Sequence, residues 1–252
     1  MEIVICKDSQ ELAARAAVLF ADAARAATQA RGRFVVALPG GSTPQALYAL
    51  LAEPPCASDI PWDKTVVFMS DERCVPFDDP RSNFGAARQA LLSRVPVPEG
   101  NIYPPPINVG SPEQVAVLYA SLLAGFYGVA TALPPPAFDL ILLGLGDDGH
   151  TASLFPGHPT LEAQAQWVVS SPPGTLPPPV ERITFTLPLL NAAHQVVFLV
   201  AGSNKAEAVQ DVLEGKATVD KRPAAGVHPA SGRLTWLLDE AAASRLTRGN
   251  PT

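Results

Sequence analysis

The sequence predicts a single α/β domain, residues 1–252, in which a mostly parallel sheet is covered by helices on both faces. Three observations carry this expectation. Short β-branched runs recur along the chain, amphipathic patterns separate several of them, and neither an internal repeat nor a domain boundary interrupts the alternation. At 252 residues the chain is long enough to bury a substantial core.

"EIVIC" reads as the first strand. Asp8 and Glu11 are then spaced as a capping box for the alanine-rich, amphipathic helix "SQELAARAAVLFADAARAATQ". "RFVVAL" is a second strand and leads into the helical pattern "PQALYALLA". "TVVFMS" is a third, followed by "NFGAARQALLS" and "PEQVAVLYASLLAGFYG" as helices. Four further strands are expected at "FDLILLGL", "WVVSS", "RITFTL" and "HQVVFLVA", with the helix "NKAEAVQDVLEG" after the last. Prolines cluster in "VPVPEGNIYPPPI", "LPPPAF" and "SPPGTLPPPVE". Packed segments flank each cluster within a few residues, so these are stiff connectors rather than disordered linkers.

A net charge of -6 supplies no global attraction for nucleic acid or an anionic membrane, so any anionic ligand needs locally placed cations. Cys6, Cys56 and Cys74 are an odd set with no C-x-x-C pair, which points away from a disulfide framework and from a thiolate zinc site. A reducing, cytoplasmic setting is expected. The opening "MEIVICKDSQ" lacks the basic and apolar regions of an export signal, and no apolar run has the length of a membrane span.

The segment "LILLGLGDDGHTASLFPG" spells G-x-G-x-x-G with Gly144, Gly146 and Gly149, the pattern of a dinucleotide-binding turn. Such a turn sets a helix N-terminus on a pyrophosphate and has no use for carboxylates there. Here Asp147 and Asp148 occupy both x-x positions, and "WVVSSPPG" lacks the acidic residue expected after the next strand. The glycines are therefore read as a tight turn that brings side chains to the sheet edge. A better phosphate site lies in "VVALPGGSTPQAL". Gly40 and Gly41 let the chain turn after a strand, Ser42 or Thr43 caps the helix, and Pro44 fits the first helical position. Free N–H groups, two hydroxyls and a positive helix end then surround one point. Lys205, in "FLVAGSNKAEAV", falls in the first turn of a helix, where it opposes the dipole unless an anion lies between. The bland alternatives are a capped strand-to-helix junction with no ligand, and a lysine extended into solvent.

In "VVFMSDERCVPFDDPRSNFGAARQAL", Asp71, Glu72 and Arg73 follow a strand directly, and one acid is expected only to pair with Arg73. All four motifs lie just past the carboxyl ends of predicted strands. In a parallel sheet those ends form one rim, where ligands bind in open α/β folds.

"LPGGSTP", "SDERCVP" followed by "SNF", "LLGLGDDGHTASLFPG", "RITFTLPLLNAAHQVVFLVAGSNKA" and the tail "GVHPASGRLTWLLDEAAAS" together resemble the 6-phosphogluconolactonases. That family's wider group includes the glucosamine-6-phosphate deaminases. The resemblance covers nearly the whole chain. It implies a doubly wound, Rossmann-like sheet as in those deaminases, with no metal or organic cofactor. The implied activity is cytosolic hydrolysis of a small sugar-phosphate lactone, 6-phospho-D-glucono-1,5-lactone, in the oxidative pentose phosphate pathway.

Lactone hydrolysis needs a water nucleophile, a base and donors for the developing oxyanion. His150 is the candidate base, since histidine ordinarily titrates nearest neutral pH. Either Asp148 or Asp71 orients it. Arg73 either stabilises the oxyanion or holds a sugar hydroxyl, and Arg182 in "ERITFT" is a candidate for the anionic end of the substrate. Gly40, Gly41, Ser42, Thr43 and Lys205 form the expected phosphate site. His158, His194 and His228 make no metal spacing with His150, and no G-x-S-x-G occurs, so neither a zinc hydrolase nor a serine esterase is expected. Two competitors remain. A deaminase–isomerase of the wider group uses an acid five positions after the histidine, where this chain has Phe155, and tends to carry tyrosine in place of Arg73. A non-catalytic sugar-phosphate sensor would need the cradle and Lys205, but neither His150 nor the aspartates.

Overall fold

The computed structural model describes residues 1–132, 134–173 and 179–247. Its main sheet has seven strands in the order β1 (Glu2–Cys6), β10 (Arg233–Asp239), β9 (Gln195–Val200), β6 (Leu140–Leu143), β2 (Phe34–Leu38), β3 (Thr65–Met69), β5 (Ile102–Tyr103). Every neighbouring pair is parallel. From β2 the chain steps outward through β3 to β5, then returns to the other side of β2 as β6 and proceeds through β9 to β10. The sheet is thus doubly wound, and its switch point lies between β2 and β6.

Helices α1 (Ser9–Arg31), α2 (Ser42–Leu51), α3 (Cys56–Asp59), α4 (Asn83–Ala87), α5 (Pro112–Tyr127), α6 (Leu187–Asn191) and α7 (Ala206–Leu213) complete the layers. Strand alternation divides the core in two. Phe34, Val36 and Leu38 of β2 face α1 and α2, joining Phe20, Leu47 and Trp62, whereas Val35 and Ala37 face the opposite layer with Phe68, Phe138, Tyr119 and Trp236. Alanines at 13, 16, 17, 21, 24 and 27 line the buried side of α1. The Asp8 side chain accepts hydrogen bonds from the Gln10 and Glu11 N–H groups as expected. The reciprocal bond differs from a capping box: Glu11 accepts from Lys7 N–H, one residue further back. Among the described residues no helix is long and apolar enough to cross a membrane.

Three differences from the sequence reading bear on the site. "WVVSS" and "RITFTL" do form strands, β7 (Val168–Ser171) and β8 (Arg182–Phe185), but they leave the parallel sheet. They pair antiparallel with β4 (Asp71–Arg73) in a separate sheet of order β4-β8-β7. The crossing point is Ser70, whose N–H still donates to Leu38 of β2 while its carbonyl already accepts from Phe185. Strand β10 was not among those expected, yet it lies inside the sheet, where Trp236 stacks on Phe198 at 3.9 Å. The two-residue β5 arises within the connector "VPVPEGNIYPPPI". The connectors "LPPPAF" and "SPPGTLPPPVE" fall partly outside the described residues.

At the end of the sheet away from the four glycine and D-E-R motifs, Asp139 is buried. One carboxylate oxygen accepts from Arg31 Nε at 2.7 Å and the other from the Val35 N–H at 2.7 Å. Asp139→Ala strands that N–H away from water, so stability is expected to fall by roughly 1–3 kcal/mol, read as a lower urea midpoint at unchanged m-value. An unchanged midpoint would show that this bond carries no stability.

Candidate active site

The segments following β9, β6, β2 and β3 surface side by side, because these four parallel strands are consecutive in the sheet. Between them lies a cavity of about 230 Å³. This is below the usual range for drug-sized ligands, roughly 300–1,000 Å³, and suits one small polar molecule rather than a dinucleotide. Every residue singled out in the sequence as catalytic or binding lines it except Asp148, which stands behind His150.

After β2 the chain turns through Gly40 and Gly41. Gly41 has φ 99°, and a Cβ on Gly40 would lie 1.8 Å from Asn83 Oδ1, so neither position accommodates a side chain. Helix α2 starts at Ser42, with Gly41 as N-cap and no side-chain capping bond. The expectation that Ser42 or Thr43 caps the helix is therefore corrected, and so is the position of Pro44, which is third in the helix rather than first. Proline is tolerated there because first-turn N–H groups have no intrahelical partner. Ser42 and Thr43 line the cavity at the end of a helix whose dipole is positive there.

After β3, the alternation of β4 separates "DER". Asp71 and Arg73 face the cavity, while Glu72 points away and is completely buried. Glu72 accepts from the N–H groups of Arg73, Asn83 and Phe84 and from the Ser82 hydroxyl. The expected ion pair of an acid with Arg73 is therefore corrected: Glu72 takes the Arg73 backbone N–H, and the guanidinium turns to the Arg81 carbonyl. Burial pushes the Glu72 carboxyl up to about 7, against the downward pull of its three N–H donors. Asp71 accepts from Asn83 Nδ2 at 3.2 Å. Arg73 Nη1 donates to the Arg81 carbonyl at 2.6 Å. Arg182 at the start of β8 is the direct cross-strand partner of Arg73, so two guanidiniums share one face. Burial draws Arg182 below its usual value, with Arg73 adding to the fall and Asp71 and Asp148 opposing it.

After β6 the glycine-rich turn carries no helix; residues 147–149 form a turn and Thr151 bridges to Leu154. A pyrophosphate would find no helix end here. The glycines serve close approach instead. A Cβ on Gly146 would sit 2.1 Å from His150 Nδ1, and one on Gly149 2.4 Å from Arg222 Cδ. His150 Nδ1 and Asp148 Oδ1 are 2.6 Å apart, and the same oxygen accepts the His150 N–H at 3.0 Å. Burial raises the Asp148 carboxyl, but its hydrogen bonds and electrostatic attraction to His150 outweigh this and hold it below its usual value. The question left between Asp148 and Asp71 is thereby answered geometrically: Asp148 is the partner of the imidazole. Phe155 packs on His150 with ring centroids 4.7 Å apart and lies 5.2 Å from the Arg182 guanidinium carbon.

After β9, Gly202 takes φ 103° and its N–H is held by both Asp239 oxygens at 3.0 Å. Lys205 ends a short 3-10 turn (Ser203–Lys205) rather than lying within α7, and its Nζ is 4.0 Å from Asp147 Oδ1. Among the described residues, no group of three His, Cys, Asp or Glu side chains is placed to hold a metal ion.

Sequence reasoning assigned no place at the site to Asn83, Glu72, Asp239 or Arg222, which support it from behind. Arg222 donates to Asp211 and Glu207 and reaches the Asp147 carbonyl at 3.4 Å, pinning the loop that carries His150. A period-two reading of "SDER" is the signal that would have separated Glu72 from its neighbours. Nothing local marks the other three.

The family model described as Glucosamine-6-phosphate isomerases/6-phosphogluconolactonase matches residues 7–236. A 6-phosphogluconolactonase of Synechocystis sp. is 42% identical over 245 residues, covering 97% of this chain and 98% of that protein. The solved 6-phosphogluconolactonase from Trypanosoma cruzi superposes with TM-score 0.85 at 30% identity, covering 98% of this chain and 97% of that one. A monomeric glucosamine-6-phosphate deaminase superposes with TM-score 0.80 at 24% identity over 97% and 99% of the two chains, which is a likeness of fold alone.

The raised Glu72 carboxyl makes stability depend on pH. Between its ordinary value near 4.5 and about 7 the folded state holds the extra proton. The contribution of Glu72 is therefore fully present below pH 4.5 and is lost as pH rises through 7. The stability of wild type relative to Glu72→Gln should decline over that window by up to about 3 kcal/mol, measured by urea unfolding at several pH values. A difference that is flat across the window would show Glu72 to be ionised throughout.

Proposed function

This chain belongs to the glucosamine-6-phosphate isomerase/6-phosphogluconolactonase family, and we propose that it hydrolyses 6-phospho-D-glucono-1,5-lactone to 6-phosphogluconate in the oxidative pentose phosphate pathway. The observation that carries this reading is the His150–Asp148 pair opening onto the same small cavity as the Gly40–Thr43 turn and Lys205. One end of that cavity suits a phosphate; the other offers a base.

The proposed chemistry follows from the geometry. The substrate phosphate takes the first-turn N–H groups of α2, the hydroxyls of Ser42 and Thr43, and Lys205. Asp148 on Nδ1 fixes the tautomer whose Nε2 lone pair faces the cavity. Nε2 takes a proton from water as the water oxygen bonds to the lactone carbonyl carbon. Arg73 and Arg182, sharing one face of the small sheet, supply positive charge for the oxyanion. When the tetrahedral intermediate collapses, the bond from the carbonyl carbon to the ring oxygen breaks and the imidazolium returns its proton to that oxygen. Collapse leaves a hydroxyl and a carboxylic acid with the base regenerated, and the acid then loses its proton to solvent and departs as the carboxylate. The free cysteines are in keeping with the reducing, cytoplasmic setting expected for such an enzyme.

The deaminase reading is disfavoured by Phe155. The position where that chemistry employs an acid holds a buried aromatic ring packed on the histidine.

The test uses lactone generated in place by oxidising glucose 6-phosphate, with its disappearance followed against the spontaneous rate. Wild type is expected to accelerate opening, and His150→Asn to lose that acceleration while still binding 6-phosphogluconate. Acceleration that survives His150→Asn would move the base elsewhere. Asp148→Asn should lower kcat by about 10²–10⁴ through the wrong tautomer. Lys205→Met should instead raise KM by about tenfold to a hundredfold, since it removes one charge-assisted bond to the phosphate. Ammonia release from glucosamine 6-phosphate would favour the deaminase, and tight product binding without turnover would favour a sensor.

A further inference from the structure

We propose that Ser153 is a positioning residue that holds Asp71 and Arg182 apart and aimed into the cavity, an inference that rests on the lactonase reading. Ser153 is completely buried. It follows Ala152, whose φ of 48° makes it the one non-glycine residue with positive φ among the described residues. That conformation is unfavourable for an alanine, so the surroundings must over-determine it.

What determines it is the closure of the turn around it and two backbone bonds of the next residue. The turn closes with Leu154 N–H donating to the Thr151 carbonyl at 2.9 Å. Ser153 N–H donates to Thr184 Oγ1 at 3.1 Å, and its carbonyl accepts from Ser171 Oγ at 2.6 Å. These two bonds tie the His150 loop to β8 and β7 through the backbone of Ser153, independently of its side chain. The hydroxyl has a separate task. It donates to Asp71 Oδ2 at 2.7 Å, and Arg182 Nη1 approaches the same Oγ at 3.5 Å.

A hydroxyl carries one proton and two lone pairs. With the proton committed to Asp71, a lone pair faces Arg182, and the dipole lies between a carboxylate and a guanidinium. Asp71 and Arg182 are both buried, and a buried guanidinium and carboxylate pair strongly when they meet directly. A direct pair would cancel charge that the site needs on its open face. Ser153 bonds Asp71 and touches Arg182 at the same oxygen, and Asn83 Nδ2 holds the other Asp71 oxygen.

The experiment is a double-mutant cycle, Ser153→Ala in wild type and in Asp71→Asn, read as kcat/KM and as the Kd of 6-phosphogluconate. Ser153→Ala is expected to lower kcat/KM by about tenfold and to weaken product binding in the wild-type background, and to change both by less than about twofold beside Asp71→Asn. Binding of inorganic phosphate, which uses the separate α2 cradle, should stay the same. Equal losses in both backgrounds, a parallel loss of phosphate binding, or no loss in wild type would each overturn the proposal. Ser153→Cys keeps the volume with a weaker donor and decides the cycle if the alanine variant does not fold. If wild type does not accelerate lactone opening, the functional reading fails, while the product-binding cycle still decides the role of Ser153.

Discussion

The parallel register of β9, β6, β2 and β3 brings together residues that are as much as 165 positions apart, from Gly40 to Lys205. Because these strands run the same way, whatever follows each of them must emerge at one rim. The reversal of winding between β2 and β6 leaves a gap there, since the segments after these two strands depart to opposite faces. A cavity at this position is a consequence of topology before any side chain is considered. The side chains then decide what the cavity holds.

Acidic side chains that accept backbone N–H groups hold that rim in shape. Glu72 accepts three backbone N–H groups beneath the D-E-R strand, Asp239 accepts those of Gly202 and Ala242 beneath the Lys205 turn, and Asp148 accepts that of His150. Asp139 performs the same task at the far end of the sheet. Turns at strand ends leave N–H groups without ladder partners, and burying them unpaired is costly. An acidic side chain satisfies several at once. Much of the acidic character of the chain near the site is thus spent internally, and the cavity itself keeps Lys205, Arg73, Arg182 and a positive helix end. A protein of net charge -6 thus gathers three cationic side chains at one cavity, beside Asp71.

The small antiparallel sheet adds what the parallel rim alone lacks. Pairing Arg73 directly with Arg182 sets like charges opposite each other, an arrangement that is unfavourable in an empty sheet. Asp71, on the same face of β4, offsets part of that repulsion. The remaining repulsion would be relieved by an anion, which accords with the proposed role of the two guanidiniums at the oxyanion.

Residue order alone specifies the alternating architecture, the glycine turn after β2 and the histidine-bearing loop. Each is written in local features: β-branched runs, glycines at turns, and polar groups at the ends of strands. It also determined that the G-x-G-x-x-G is no dinucleotide turn, because Asp147 and Asp148 occupy the wrong positions. Only the tertiary structure decided that "WVVSS" and "RITFTL" pair with Asp71–Arg73 outside the main sheet, that Arg182 faces Arg73, and that Asp148 rather than Asp71 holds His150. It alone revealed β10 as an interior strand and brought Asn83, Asp239 and Arg222 to the rim. The reason is physical. Backbone preference and side-chain alternation are properties of a few consecutive residues, whereas strand partners and buried hydrogen bonds join residues far apart in the chain, and those are fixed only when the whole sheet closes on its core.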